Sequence, residues 1–223
     1  MNLSAGDREE LRAGATAGVH ATGDEARASM TEPRWSQSGE IRLFGEREFV
    51  ASLVRDTRAP VVEVGAGACA CLTLVLAARN FRILAIDRDA AAVADARQVL
   101  AGVGLSEQMV LAQADAGGLP LRSHSVRTVV AYDALHHAED LWGTVLEIAR
   151  VLHPRGRLIV SDWDERANGF LGRLTRALRA HFGKVRITPR EVRRVYVCEQ
   201  PRRLQRRAEP WLRRRQSTRP YGT

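Results

Sequence analysis

Two short apolar runs and the segment between them predict the first unit of regular structure. Val61–Val64 and Ile83–Ile86 are rich in β-branched residues. Continuous runs of this kind are typical of strands that are buried on both faces of a parallel sheet. Between them, Gly65-Ala66-Gly67 is typical of a tight turn, and Leu72–Ala78 has the composition of a buried helix. The pattern therefore predicts a strand–turn–helix–strand unit with parallel strands.

Apolar runs typical of strands continue to alternate with helical segments up to residue 198. Five strands that alternate with helices, followed by a terminal hairpin, predict an α/β sheet with both faces covered. The predicted helices are 44–56, 72–78, 90–104, 141–152 and 170–182. The predicted strands are 61–64, 83–86, 109–112, 126–132, 157–162, 185–187 and 195–198, with the hairpin turn at Thr188-Pro189-Arg190.

Composition divides the chain into three parts. Residues 1–35 are rich in Ala, Gly, Thr and charge, without sustained apolar periodicity, which predicts a disordered arm. Residues 36–200 hold the periodic segments and have the size of one domain. Residues 201–223 carry eight arginines and one glutamate, which account for +7 of the net charge of +8. The basicity therefore belongs to a tail that is also predicted to be disordered.

The apolar content and the cysteines exclude some classes of protein. No apolar run approaches the roughly 18 residues that a membrane span needs, and the first residues lack the apolar segment of a secretory leader. The three cysteines, Cys69, Cys71 and Cys198, are an odd set without metal-ligand spacing. We therefore expect a cytoplasmic protein without a metal site.

The glycine turn and the acid after the second strand carry the first chemical signal. At Gly65 and Gly67, backbone N–H groups can approach a ligand because no Cβ intervenes. The helix that follows adds the positive end of its dipole. Asp87 ends the second strand, where a carboxylate can accept hydrogen bonds from both hydroxyls of a ribose. These features predict a cofactor that contains a nucleoside.

The same turn fits two kinds of cofactor motif. With Glu63 it reads acid-x-Gly-x-Gly, and Cys69 stands where a third alternating glycine would follow. Gly65, Gly67 and Ala70 also satisfy Gly-x-Gly-x-x-Gly/Ala, the nicotinamide-dinucleotide fingerprint. The turn alone leaves both interpretations open.

Later motifs distinguish them by their order. Asp115 follows the third strand, Tyr132–His137 ends the fourth, and the run 150–158 leads into the fifth. With these motifs, residues 38–199 resemble the class I S-adenosylmethionine-dependent methyltransferases, most of all the small-molecule group that includes the quinone-biosynthesis C-methyltransferases. The resemblance implies a Rossmann-like fold: a seven-stranded, mostly parallel sheet with helices on both faces and a C-terminal antiparallel hairpin. It also implies S-adenosyl-L-methionine as the cofactor.

The resemblance assigns roles to individual positions. Glu63 would hold the ammonium group of the cofactor, Asp87 its ribose and Asp115 the amino group of its adenine, while Arg88 and Ala116 would flank the adenine ring. The implied cofactor-binding set is Glu63, Gly65, Gly67, Asp87, Arg88, Asp115, Ala116 and Tyr132. Cys69 departs from the family pattern because it places a side chain near the methionine end, which leaves a degenerate, non-catalytic member open.

The catalytic group is the least defined part of the expected site. A base is needed only if the methyl acceptor must first lose a proton. His136 is the candidate base, although a capping or packing role fits its position better. Asp162 and Trp163 end the fifth strand and are expected at the same rim. The expected acceptor is a small molecule, with carbon, nitrogen or oxygen as the methylated atom.

Two rival functions follow from other features. A short-chain nicotinamide dehydrogenase needs a Tyr-x-x-x-Lys pair, but Ala180 stands four residues before Lys184, the only lysine, which excludes that machinery. A nucleic-acid-associated protein would use tail 201–223, where Trp211 and Tyr221 lie among the arginines. Phosphate contacts from such a tail would give salt-sensitive binding without sequence preference.

Overall fold

The computed structural model describes the central part of the chain. The described residues are 37–55, 59–104, 109–163, 169–190 and 193–202. The predicted arm 1–35 and residues 203–223 of the predicted tail lie outside them, so the nucleic-acid hypothesis stays a prediction. Among the described residues, no helix combines the length and the apolar composition that crossing a membrane requires.

Helices and strands alternate along the described residues. The helices are α1 (Gln37–Ser52), α2 (Cys71–Ala78), α3 (Ala90–Gly102), α4 (Leu141–Val151) and α5 (Phe170–His181), with a short 3₁₀ turn at Leu135–His137. The strands are β1 (Val61–Val64), β2 (Ile83–Asp87), β3 (Met109–Gln113), β4 (Val126–Tyr132), β5 (Leu152–Asp162), β6 (Phe182–Pro189) and β7 (Arg194–Pro201).

The strands form one seven-stranded sheet in the order β3-β2-β1-β4-β5-β7-β6. The pairs from β3 to β5 are parallel, and β7 pairs antiparallel with both β5 and β6. The order reverses between β1 and β4, and ligands of open α/β sheets bind outside the carboxyl ends of the strands at such a point. The predicted α/β sheet with a C-terminal antiparallel hairpin is confirmed.

Alternate side chains of the central strands belong to two separate layers of the core, one on each face of the sheet. Val129 and Ala131 of β4 pack in the cluster that holds α4 and α5, whereas Val130 and Tyr132 pack in the cluster that holds α1, α2 and α3. Successive side chains of a strand point to opposite faces of a sheet, so a strand that is apolar throughout must be covered twice. The prediction that helices cover both faces is confirmed.

Three predicted boundaries are wrong. The first helix begins at Gln37, before the predicted start at Phe44, and ends at Ser52 instead of Asp56. Strand β5 begins at Leu152 and not at Arg157, because a register shift lets Leu152 pair with Val126 ahead of the regular ladder. The pattern of apolar residues cannot predict the earlier starts of the helix and of β5, because the added residues are polar or interrupt the regular spacing of apolar residues.

The hairpin is also longer than predicted, and its turn lies later. Thr188 and Pro189 belong to β6, and the Arg190 N–H donates to the Arg193 carbonyl at 2.8 Å across the turn. Because β6 is an edge strand, Pro189 does not remove a ladder hydrogen bond from the interior of the sheet. Strand β7 ends at Pro201, one residue beyond the predicted domain boundary.

Candidate functional site

A cavity of about 440 Å³ opens at the carboxyl ends of the parallel strands. Its walls come from the ends of β1 and β2, from the loop after β3, from the segment after β4 and from the start of α4. This volume lies in the range of small-molecule and cofactor sites. Six of the predicted cofactor residues line it, namely Gly65, Gly67, Asp87, Arg88, Asp115 and Ala116.

The glycine turn closes the cavity at the end of β1. Gly65 and Gly67 both have positive φ angles, of 76° and 65°. The Gly67 N–H donates to Oδ2 of Asp87 at 2.9 Å, and the Asp89 N–H donates to Oδ1 of the same carboxylate at 3.0 Å. Asp87 thus fixes the turn and still has lone pairs for ligand hydroxyl groups.

Gly65 is needed for space as well as for its backbone conformation. A Cβ on Gly65 would lie 2.4 Å from the Cβ of Ala134, in the segment after β4. Two carbon atoms that are not bonded cannot approach so closely without displacing the backbone. The turn and the segment after β4 therefore meet as two closely packed backbones.

This contact gives a test of the turn. We expect Gly65→Ala to lower the free energy of unfolding by clearly more than Gly104→Ala, because φ is +69° at Gly104 but no atom of the described residues lies within 4 Å of its added Cβ. The control measures only the cost of a left-handed alanine, about 1–2 kcal/mol. Urea unfolding of both variants measures the difference. Ala134→Gly in the Gly65→Ala background should recover part of the loss, and no recovery would contradict the packing explanation.

Hydrogen bonds to a buried acid hold the loop after β3. Glu147 of α4 is 4% exposed; it accepts from the Leu119 N–H at 2.9 Å and pairs with Arg150 at 2.7 Å. Arg150 also donates to the Leu119 and Leu121 carbonyls. At the start of this loop, Oδ1 of Asp115 accepts from the Gly117 N–H at 2.6 Å. The loop is thus anchored to α4 on the cavity side of the sheet.

The cavity wall is acidic. Among the described residues that line it, six are carboxylic acids and Arg88 is the only arginine or lysine. Arg88 lies 3.2 Å from the exposed Glu139, and Asp133 pairs with Arg193 of the β6–β7 turn. The remaining carboxylates favour a ligand with positive charge. The acids are Asp87, Asp89, Asp115, Asp133, Glu139 and Asp140.

Glu63 lies beneath the glycine turn and not among the residues that line the cavity. It is 2% exposed, and Thr73 of α2 donates to its Oε2 at 2.5 Å. Burial raises the pKa of Glu63 to about 8, against the opposing effect of the Thr73 hydrogen bond. The carboxyl group is therefore mostly protonated at neutral pH in the protein without ligand, and a nearby cation would favour its ionised form.

Tyr132 also lies outside the cavity lining, in a cluster of polar groups at the ends of β4 and β5. The guanidinium groups of Arg47 and Arg193 lie 5.7 Å and 4.8 Å from the centre of its ring. Arg193 lies 5.5 Å from the ring centre of Trp163 as well. Burial raises the pKa of Tyr132 to about 12, so its hydroxyl stays protonated at neutral pH.

Several buried polar atoms in this cluster have no hydrogen-bond partner within the described part of the chain. They include the Tyr132 hydroxyl, Ser161 Oγ, Trp163 Nε1 and Arg193 Nε, together with Glu46 Oε2 and Arg47 Nε of α1. Buried polar atoms are rarely left unpaired in folded proteins. We call this concentration of unpaired, buried polar atoms at the strand ends the polar cluster.

His136 and Asp162 form a hydrogen-bonded pair beside the cavity. The fully buried Asp162 ends β5, and its Oδ1 lies 2.8 Å from Nδ1 of His136. Three backbone N–H groups, of Leu135, His136 and Trp163, also donate to its oxygens. Burial raises the pKa of Asp162, but four donors around one carboxyl group favour the ionised, acceptor-only form. In the neutral tautomer that donates to Asp162, Nδ1 of His136 carries the hydrogen and the lone pair of Nε2 is available.

The predicted residues thus fall into three neighbouring groups. Six line the cavity, Glu63 lies under the turn, and Tyr132 belongs to the polar cluster. The sequence analysis missed Arg47, Arg193 and the anchoring acid Glu147. No local signal marks the two arginines, because charged residues on a helix or at a turn are ordinarily solvated.

A family model described as "Methyltransferase domain" matches residues 62–160. A curated relative, the 27-O-demethylrifamycin SV methyltransferase of Amycolatopsis mediterranei (strain S699), is 39% identical over 59 residues. That match covers 26% of this chain and 22% of the relative, so the chain spans only about a fifth of that protein's length.

Solved structures share the fold at low identity. A putative S-adenosyl-L-methionine-dependent methyltransferase from Methanococcus maripaludis is 13% identical, with 79% of this chain and 99% of that chain covered at a TM-score of 0.60. The [4+2]-cyclase SpnF is 22% identical, with 81% and 70% covered at a TM-score of 0.59. These likenesses support the sheet order described above. The matched family model spans β1 to β5, the strands whose ends form the cavity, so residues 62–160 are similar to a methyltransferase domain.

Proposed function

We propose that this chain transfers a methyl group from S-adenosylmethionine to an oxygen of a small-molecule acceptor, with His136 as the general base. The observation that carries the cofactor part is the acidic cavity at the reversal of strand order, with Asp87 and Asp115 after consecutive strands. The observation that carries the acceptor part is the His136–Asp162 pair, whose histidine lies between Leu135 and His137 of the cavity wall.

The residues present suit this cofactor. Asp87 would accept from the ribose hydroxyl groups, Asp115 would accept from the adenine amino group, and Glu63 would face the ammonium group, directly or through water. When bound, the cofactor supplies an electrophilic methyl group on a positively charged sulfur atom. The acidic wall suits that charge better than it suits the anionic pyrophosphate of a dinucleotide.

The His136–Asp162 pair supports an acceptor that must lose a proton. Asp162 holds the imidazole with Nδ1 protonated, so that Nε2 can take the proton of an acceptor hydroxyl group as its oxygen becomes methylated. Asp162 also stabilises the imidazolium that results. An acceptor without an ionisable proton would not need this arrangement. The Amycolatopsis relative is named for an O-demethylated compound, which agrees with an oxygen acceptor.

The polar cluster supports an acceptor with several hydrogen-bonding oxygens. Trp163 Nε1 and the Nε groups of Arg47 and Arg193 are donors only, and the Tyr132 hydroxyl can also donate. The two guanidinium groups lie over the ring of Tyr132, at 5.7 Å and 4.8 Å from its centre. Donors in this number favour an acceptor that carries several oxygen atoms.

The first experiment tests cofactor binding. We expect calorimetry to show binding of S-adenosylhomocysteine and to show that Asp87→Ala weakens it about ten- to hundred-fold, because a hydrogen-bonded charge contributes about 1.5–3 kcal/mol. Asp95→Ala, on the exposed side of α3, is the control and should bind as the unmodified protein does. Equal affinity for NAD, or no binding of S-adenosylhomocysteine, would refute the proposal.

A further inference from the structure

Two thiols flank one residue at the start of α2. Cys71 is the first residue of this helix, Ala70 is its N-cap, and Cys69 precedes them in the turn that begins at Gly65. Cys69 is exposed and Cys71 is partly exposed. The proposed methyl transfer uses neither thiol.

The backbone of Ala70 holds the two cysteines at bridging distance. Ala70 has φ of 46° and ψ of 31°, the left-handed helical conformation. In a helical turn of either hand, residues two apart have Cα atoms about 5.4 Å from each other. Disulfides bridge Cα separations of about 4.4–6.8 Å. A left-handed alanine is also unfavourable, so the surrounding structure imposes this geometry.

The surroundings of the two sulfur atoms make them unequal. A hydrogen bond from the Cys71 thiol, helped by the charge of Arg47 on α1, lowers the pKa of Cys69 to about 6. The same hydrogen bond and burial raise the pKa of Cys71, and the nearby Glu63 of β1 acts in the same direction. Cys69 is thus the thiolate at neutral pH, and Cys71 is the thiol beside it. Such a pair has a nucleophile and a resolving partner.

We propose that Cys69 and Cys71 are a redox-active dithiol that reacts with small-molecule disulfides such as oxidised glutathione. The Cys69 thiolate attacks one sulfur atom of the disulfide, forms a mixed disulfide and releases one glutathione thiolate. Cys71 then loses its proton and attacks the Cys69 sulfur atom, which closes the intramolecular disulfide and releases the second glutathione thiolate. Two protein thiols are oxidised by two electrons, and one glutathione disulfide is reduced to two glutathione thiols.

Cys198 is a matched internal control. It lies on β7, is fully buried, and burial raises its pKa to about 12. A buried thiol of this kind is inert toward disulfides in the folded protein. Any reaction of the native protein should therefore be confined to residues 69 and 71.

The test is titration of the full chain with oxidised glutathione, followed by mass spectrometry under native conditions. We expect the unmodified protein and Cys198→Ser to lose two hydrogen atoms without a lasting adduct, and dithiothreitol to reverse the change. Cys71→Ser should stop at one glutathione adduct on Cys69. Cys69→Ser and Cys69→Ala should react at least ten-fold more slowly.

Other outcomes would overturn the inference. They are a lasting glutathione adduct on the unmodified protein, disulfide-linked dimers, or Cys69 variants that react at the original rate. Circular dichroism of each variant shows whether the fold is intact before reaction. The result does not depend on methyl transfer, so the inference can fail while the proposed function stands.

Discussion

Asp162→Asn is expected to lower the turnover of methyl transfer by about 10²–10⁴-fold, the usual contribution of a positioned acid–base group. Asparagine keeps the size of the side chain but removes the charge that stabilises the protonated imidazole of His136. The affinity for S-adenosylhomocysteine should change little, because Asp162 does not line the cavity. Calorimetry and single-turnover methylation of an oxygen acceptor measure the two quantities separately.

Matched variants distinguish a base from a packing residue. His136→Ala should slow methyl transfer at least as much as Asp162→Asn does, and the double variant should be no slower than His136→Ala, because Asp162 acts through the imidazole. His153→Ala, at a partly exposed position of β5, is the control and should keep the original rate. A double variant in which the two losses multiply would contradict the assignment of His136 as the base that Asp162 positions.

Glu63→Gln is expected to stabilise the empty protein and to weaken cofactor binding. The pKa of Glu63 is about 8 in the folded protein against an ordinary value of 4.5, so the folded state binds more protons than the unfolded state between these pH values. Stability therefore falls as pH rises from about 4.5 to 8, by at most about 1.4 kcal/mol per pH unit. Glutamine cannot ionise, and its carbonyl oxygen can still accept from Thr73.

Urea unfolding at pH 5 and pH 8 measures this effect. The gain from Glu63→Gln should be small at pH 5 and on the order of 3 kcal/mol larger at pH 8. Glu139→Gln is the control, with little effect at either pH because its side chain is 90% exposed. The affinity of Glu63→Gln for S-adenosylhomocysteine should fall about ten-fold or more, because a charged partner of the ammonium group is lost. A gain that is equal at both pH values would show that Glu63 is ionised in the folded protein.

The order of the elements could be read from the sequence because it depends on local patterns. Apolar runs such as 126–132 must be buried on both faces wherever the strand lies, and β4 was predicted to the residue. Gly65 and Asp87 were expected at the cavity because a turn and a strand end place them at one edge of a parallel sheet. The boundaries that were wrong lie where polar residues or irregular pairing extend an element, as at Leu152 in β5.

The chemical state of the site depends on contacts that no local pattern records. The raised pKa of Glu63 comes from burial under α2, and its sequence neighbours alone would indicate an ordinary carboxylate. Arg193 reaches Asp133 from 60 positions away in the chain. Asp162 orients His136 from 26 positions away. The sequence by itself determined the sheet, the glycine turn and the acids at the strand ends, because periodicity and turn chemistry act over a few residues. Only the tertiary structure decided which of these groups are buried, paired or left with free hydrogen-bonding atoms, because solvation and charge depend on residues that folding brings together from distant parts of the chain.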